Sequence, residues 1–197
     1  MSTAEHATAV VAVALTETGI EYHRRDTGQF LVMLTGTQRL RTHCWLVVRE
    51  HALFVQAFVC RKPDEEQEAV YRFLLQRNAR LYGVHYMLDR IGDIHLVGRV
   101  PLAAVTAEEV DRLLGQVLEA ADGDFNTLLQ MGFASSIRRE YAWRTDRGES
   151  VANLAAFENT SHYNYRRDRN IANTKRRTCT TVRCRSSGTP ARTRSST

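Results

Sequence analysis

The chain has 197 residues, with 27 Lys and Arg against 22 Asp and Glu and a formal charge of +5. That charge is unevenly spread: residues 158–197 hold 10 basic and 2 acidic side chains, and the 157 residues before them hold 17 and 20, a net −3. A mildly acidic body argues against a folded part that grips phosphates over a broad basic face, because that attraction needs Lys and Arg clustered on the domain itself. The body has the size of one ordinary domain and is long enough to bury well over half of its unfolded surface. Its longest aliphatic run, Ala9 to Leu15, falls far short of the roughly 20 residues of a membrane span. The run also lacks the basic flank and small-residue cleavage site of an export signal. The expectation is a soluble cytoplasmic protein whose four cysteines, Cys44, Cys60, Cys179 and Cys184, are reduced thiols.

From Thr3 to Thr18 the apolar residues Ala7, Val10, Val11, Ala14 and Leu15 make one helical stripe, and Gly19 follows as a stop. Four strands are then predicted: Ile20 to His23, Phe30 to Leu34, Leu40 to Arg49 and Ala52 to Cys60, separated by turn chemistry at Asp26-Thr27-Gly28 and Thr35-Gly36-Thr37. A hairpin turning at Glu50 and His51 sets position 44 opposite 57. Cys60 then falls on the face opposite to Cys44, and the two cannot bond. Asp64 is the predicted N-cap of a second helix that runs to about Leu81, with Val70, Phe73, Leu74 and Leu81 inward and Arg72, Gln76 and Arg80 outward.

Strands Val84 to Leu88 and Ile94 to Val100 come next; in the second, Ile94, Leu96, Gly98 and Val100 share a face while His95, Val97 and Arg99 point away. Thr106-Ala107-Glu108-Glu109 reads as a capping box opening a third helix along Val110, Leu113, Leu114, Val117 and Leu118. Asp122-Gly123-Asp124 is expected to break that helix, the two aspartates ending it and capping the next. Phe125 to Tyr141 and Val151 to Phe157 read as further helical pieces around the polar stretch Arg144 to Ser150. The order helix, strands, helix, strands, helices predicts an α+β domain: an antiparallel sheet with helices packed on it.

The central hairpin is apolar on both faces. Leu53, Val55, Ala57 and Val59 line one side of Ala52 to Cys60, and Phe54, Phe58 and Cys60 line the other beside Gln56; Trp45 and Val47 continue that second side on the preceding strand. A strand with one face in water alternates more cleanly. Two readings stay open: the C-terminal helices wrap over the second face, or that face meets a partner.

Local catalytic signatures are absent: the chain has no phosphate-binding glycine loop, no dinucleotide fingerprint, no His-Glu-x-x-His and no Cys-x-x-Cys. His43 and Cys44 are adjacent on a strand and point to opposite faces, and His85 with His95 lacks a third ligand, so no metal or cofactor is expected. The basic pairs Arg24-Arg25 and Arg138-Arg139 read as a charged strand edge and a solvated helix face.

The stretches PDEEQEAVYRFLLQRN at 63–78 and ASSIRREYAWR at 134–144, within a run from Glu50 to Phe157, resemble actinobacterial proteins of the YbjN family, described as putative bacterial sensory transduction regulators. The resemblance covers about Ala7 to Phe157. It implies a fold like that of type III secretion chaperones, often a homodimer, and a non-enzymatic regulatory or chaperone-like domain that binds protein partners through apolar grooves and strand edges. No catalytic or ligand residue comes with it. The hairpin residues Trp45, Val47, Phe54, Gln56 and Phe58 suit such binding, and Arg72, Gln76 and Arg80, with Asn78 and Tyr82, form a second candidate patch.

Residues 158–197 depart from this pattern, with one Ile, one Val and neither Leu nor Phe. They are expected to be disordered, leaving 1–157 as a single domain. Three readings compete for the basic stretch: an arm contacting nucleic acid or anionic lipid, an inert extension, or sequence read out of frame after Phe157, which the abrupt change of composition favours. Nucleic acid is a partner only if the stretch belongs to the protein.

Overall fold

The computed structural model describes residues 2–157; the stretch 158–197, with its expected disorder and its basic-arm reading, lies outside the described residues. The described chain divides into two compact units with the break after Ser135.

In the first unit, α1 (Thr3–Glu17) opens on a complete capping box in which the Ser2 hydroxyl accepts from the Glu5 amide and the Glu5 carboxylate accepts from the Ser2 amide. Gly19, at φ +66°, makes the left-handed turn that ends it, a conformation that a side chain would strain. Strands β1 (Tyr22–Asp26), β2 (Gln29–Leu34), β3 (Thr42–Val48), β4 (Ala52–Cys60), β5 (Val84–Leu88) and β6 (Ile94–Pro101) form one antiparallel sheet in the order β1-β2-β3-β4-β6-β5. Successive hairpins lay down the first four strands. After α2 (Gln67–Asn78), β5 takes the far edge and β6 returns between it and β4.

The α+β architecture and the order of elements are as expected. One sheet face is closed: Phe30, Val32, Leu46, Leu53, Val55, Ile94 and Leu96 are buried, as are Val11 and Leu15 of α1 and Val110, Leu113, Leu114 and Val117 of α3 (Ala107–Gly123). Cys44 stands opposite Ala57, as the hairpin register predicts.

Other expectations need correction. A β-bulge between Phe58 and Cys60 shifts the register so that Cys60 pairs with Ile94, which turns Cys60 into the core rather than onto the far face. Both thiols are free, and burial pushes Cys44 up to about 12 and Cys60 up to about 11, so neither is a thiolate at neutral pH. Asp64 does not cap α2. Its carboxylate forks onto Arg61 at 2.5 and 2.7 Å, and Glu65 accepts from the Ser135 amide and hydroxyl. Glu66 therefore precedes the helix in a left-handed conformation at φ 50°, and the helix ends at Asn78 rather than Leu81.

The two aspartates also act at a distance. Asp122 accepts four hydrogen bonds from Thr37, Gln38 and Arg39, and Asp124, although it stands at the start of α4 (Phe125–Gly132), makes no side-chain cap and binds Arg77 instead. The last long helix, α5 (Ala134–Arg147), continues past Tyr141 because Glu140 pairs with Arg144 at 2.9 Å and Arg147 stacks on Trp143 at 4.5 Å, both one turn apart. A 3₁₀ turn at Ala152–Phe157 follows.

Candidate functional site

The second sheet face is where the hairpin's extra apolar side chains stand, and strand register arranges them in rows. Leu31, Trp45, Gln56, Val97 and His85 form the central row across five strands. To one side lie Gln29, Val47, Phe54 and Arg99; to the other lie Phe58, His95 and Met87. Among the described residues this face is partly exposed. Phe58 is 43% exposed, Gln56, His43, His85 and Arg99 are exposed, and Trp45, Val47, Phe54 and Val97 are half-buried. Phe54, Gln56, His85, Met87, Val97 and Arg99 border a groove of about 590 Å³.

The aromatic rings are held by cations. Arg49 and Arg99 both lie against Phe54, at 5.3 and 5.0 Å from the ring centroid. Phe58 meets the His95 ring edge-on at 5.4 Å and also carries Arg39 at 5.9 Å. Arg39 donates to the Phe58 and Val59 carbonyls, which ties the bulge to the loop that Asp122 holds. His95 Nε2 lies 3.6 Å from Asp89, while its buried Nδ1 has no hydrogen-bond partner among the described residues. His85 sits opposite Val97, diagonal to His95, and no cluster of three or more metal-ligating side chains occurs among the described residues.

The second candidate patch lies elsewhere, on α2 beside the β5 edge, so the two groups of candidate residues do not form one site. Arg72, Gln76 and Arg80 are exposed, and Arg72 pairs with Glu68 at 2.7 Å. Asn78 is engaged internally: its side-chain amide takes the Tyr86 N–H at 2.7 Å and donates to the Tyr86 carbonyl at 3.3 Å. Tyr82 donates to Glu109 and stacks under Arg112.

Leu31, Arg49, Val97 and Arg99 also stand on the open face, beyond the candidate residues that the sequence points to. The outward direction of Val97 and Arg99 was legible. Their adjacency to Phe54 and Gln56 was not, because α2 and β5 intervene in the chain between β4 and β6.

A family model, YbjN, described as "Putative bacterial sensory transduction regulator", matches residues 8–130. The chain belongs to the YbjN family. An uncharacterized protein of Mycobacterium tuberculosis is 56% identical over 153 residues, spanning 75% of this chain and 84% of its own, and one of Mycobacterium leprae is 59% identical over 129 residues, spanning 66% and 70%. Among solved structures, the ExsC–ExsE complex matches at a TM-score of 0.48 with 19% identity, over 65% of this chain and 97% of the matched one. The ExoU–SpcU complex from the type III secretion system of Pseudomonas aeruginosa matches at 0.42 with 15% identity, over 55% and 89%. No helix among the described residues is long and apolar enough to cross a membrane.

Proposed function

We infer that this YbjN-family chain is a non-enzymatic, cytoplasmic regulatory protein that works by holding a segment of another protein on its open sheet face. The observation that carries this reading is the group Trp45, Val47, Phe54, Gln56 and Phe58 gathered on one sheet face, with Gln56 and Phe58 exposed and the others half-buried, and joined there by Val97 and Arg99. Its composition, with Trp45, Phe54, Phe58 and Arg99 and without Lys, Asp or Glu, is that of a protein-binding surface core. The description of the family supports placing it in sensory transduction.

In this reading residues 1–157 act as the binding domain and the basic stretch after them is dispensable. A second copy of the chain has its own surface. Leu75 is 71% exposed, and with Leu88, 40% exposed, it borders an apolar groove of about 150 Å³ between α2 and the edge strand β5.

The test is affinity capture with the full chain from cells grown under several conditions. Specific proteins are expected on the wild-type chain and none on Phe58→Asp, an exposed position whose substitution is expected to leave the thermal midpoint within a few degrees. Deleting residues 158–197 is expected to leave capture unchanged. Equal capture by wild type and Phe58→Asp would refute the assignment of this face, and salt-sensitive DNA binding lost on the deletion would instead favour the basic stretch as a nucleic-acid arm.

A further inference from the structure

The open face differs in charge from the rest of its unit. Strands β2 to β6 contain no Asp or Glu. The acids gather on the helices and loops, with Glu108, Asp111 and Glu119 on α3, the helix that covers the opposite side of the sheet. The net charge of −3 in residues 1–157 therefore conceals a sheet face whose strands β2 to β6 carry Arg99 and no carboxylate, with Arg49 just past the end of β3.

Arg49 and Arg99 stand out on that surface. Arg61, Arg72, Arg77, Arg112 and Arg144 each have a carboxylate within 3.0 Å. Neither Arg49 nor Arg99 makes an ion pair among the described residues, and both are exposed. Each guanidinium lies against Phe54, which limits its freedom while leaving N–H groups at its edge for a ligand. A planar donor fork fixed in advance loses little entropy on taking a carboxylate and binds it in a two-pronged geometry. Around it, Trp45, Val47 and Val97 offer half-buried apolar surface for aliphatic side chains.

We propose that the segment held on the open face is acidic, with Asp or Glu carboxylates seated on Arg49 and Arg99 and neighbouring aliphatic side chains packed on Trp45, Val47 and Val97. This rests on the protein-binding reading above and names the chemistry of its partner. Single-stranded nucleic acid fits less well. Base stacking needs free ring faces, whereas Phe54 carries two guanidiniums and Phe58 meets the His95 edge.

The test pans a phage library of random dodecapeptides on the full chain, then measures a synthetic copy of the most frequent peptide by fluorescence anisotropy. Selected peptides are expected to combine Asp or Glu with Leu, Ile or Phe. Affinity is expected to fall about tenfold in Arg49→Gln and in Arg99→Gln, with Lys at either position giving a smaller loss because it keeps charge but not the fork. Selection of neutral or basic peptides that the Gln variants bind equally would overturn the acidic assignment and leave protein binding standing. No enrichment on the folded chain would count against both. An oligothymidylate whose binding is weakened by the same two substitutions would overturn the proposal in favour of nucleic acid.

Discussion

Asp122 shows how much one side chain organises here. Its carboxylate accepts from the Thr37 amide and hydroxyl at 3.1 and 2.9 Å and from the Gln38 and Arg39 amides at 2.8 and 2.7 Å, closing the β2–β3 loop onto the end of α3. Gly36 makes room for it, since a Cβ there would collide with the Asp122 carboxylate and come within 2.6 Å of the Arg39 carbonyl. Burial alone raises the carboxyl, but the hydrogen bonds outweigh it and hold Asp122 below the usual carboxylate range. A folded value below the unfolded one means that the stabilisation is present above about pH 4 and lost as pH falls through the folded value. Asp122→Ala is expected to cost on the order of 2–3 kcal/mol in urea denaturation at neutral pH. The gap to wild type is expected to narrow on acidification from about pH 5 to about pH 3; a gap constant over that range would show that the charge is not what matters.

At the scale of elements, α2 is fastened by a polar cluster rather than by its thin apolar stripe, of which Val70 and Leu74 are the buried members. Arg77 Nε donates to Asp124 at 2.7 Å, and the Tyr86 hydroxyl donates to the same carboxylate at 2.8 Å and lies 3.0 Å from the Ala120 carbonyl. Burial first, then the neighbouring Asp124, pushes the Tyr86 phenol well above its ordinary value, so it stays a donor. Arg77→Ala leaves a largely buried carboxylate without its cation and is expected to cost about 3 kcal/mol, against about 1 kcal/mol for Tyr86→Phe. Equal costs in equilibrium unfolding would contradict this ranking. Asn78 adds a second device. By bonding both backbone groups of Tyr86 it occupies the edge of β5, where an unpaired strand would otherwise recruit another chain. Asn78→Ala is expected to speed hydrogen exchange at the Tyr86 amide with little change at His95, which lies on an interior strand.

At the scale of the molecule, the sheet separates two kinds of surface. Its closed face makes the core, where Val55→Asp would bury a charge and unfold the chain, while its open face is expected to tolerate the same change at Phe58. The apolar border of α2 and β5 is a third surface, with Leu75 71% and Leu88 40% exposed. If two copies meet there, Leu75→Glu is expected to convert a dimer to a monomer in sedimentation equilibrium without lowering stability. A chain that is monomeric at every concentration before substitution would remove that reading.

Periodicity determined which segments are helix and which are strand, because burial of one face imposes a repeat that stays within each segment. The bounds of β4 and β5 are those predicted, and the tight turn at Glu50 and His51 made the pairing of Cys44 with Ala57 legible. The doubly apolar hairpin also set its second face apart from an ordinary solvent-facing one. Tertiary structure alone decided what joins that face. Pairing β4 with β6 across an intervening helix and strand brings Arg99 to Phe54, and one inserted residue turns Cys60 into the core. Asp122 and Asp124 look like local caps in sequence and prove to be ties to residues more than forty positions away. Such contacts are chosen by the three-dimensional competition for burial and hydrogen bonds, in which separation along the chain leaves no periodic trace.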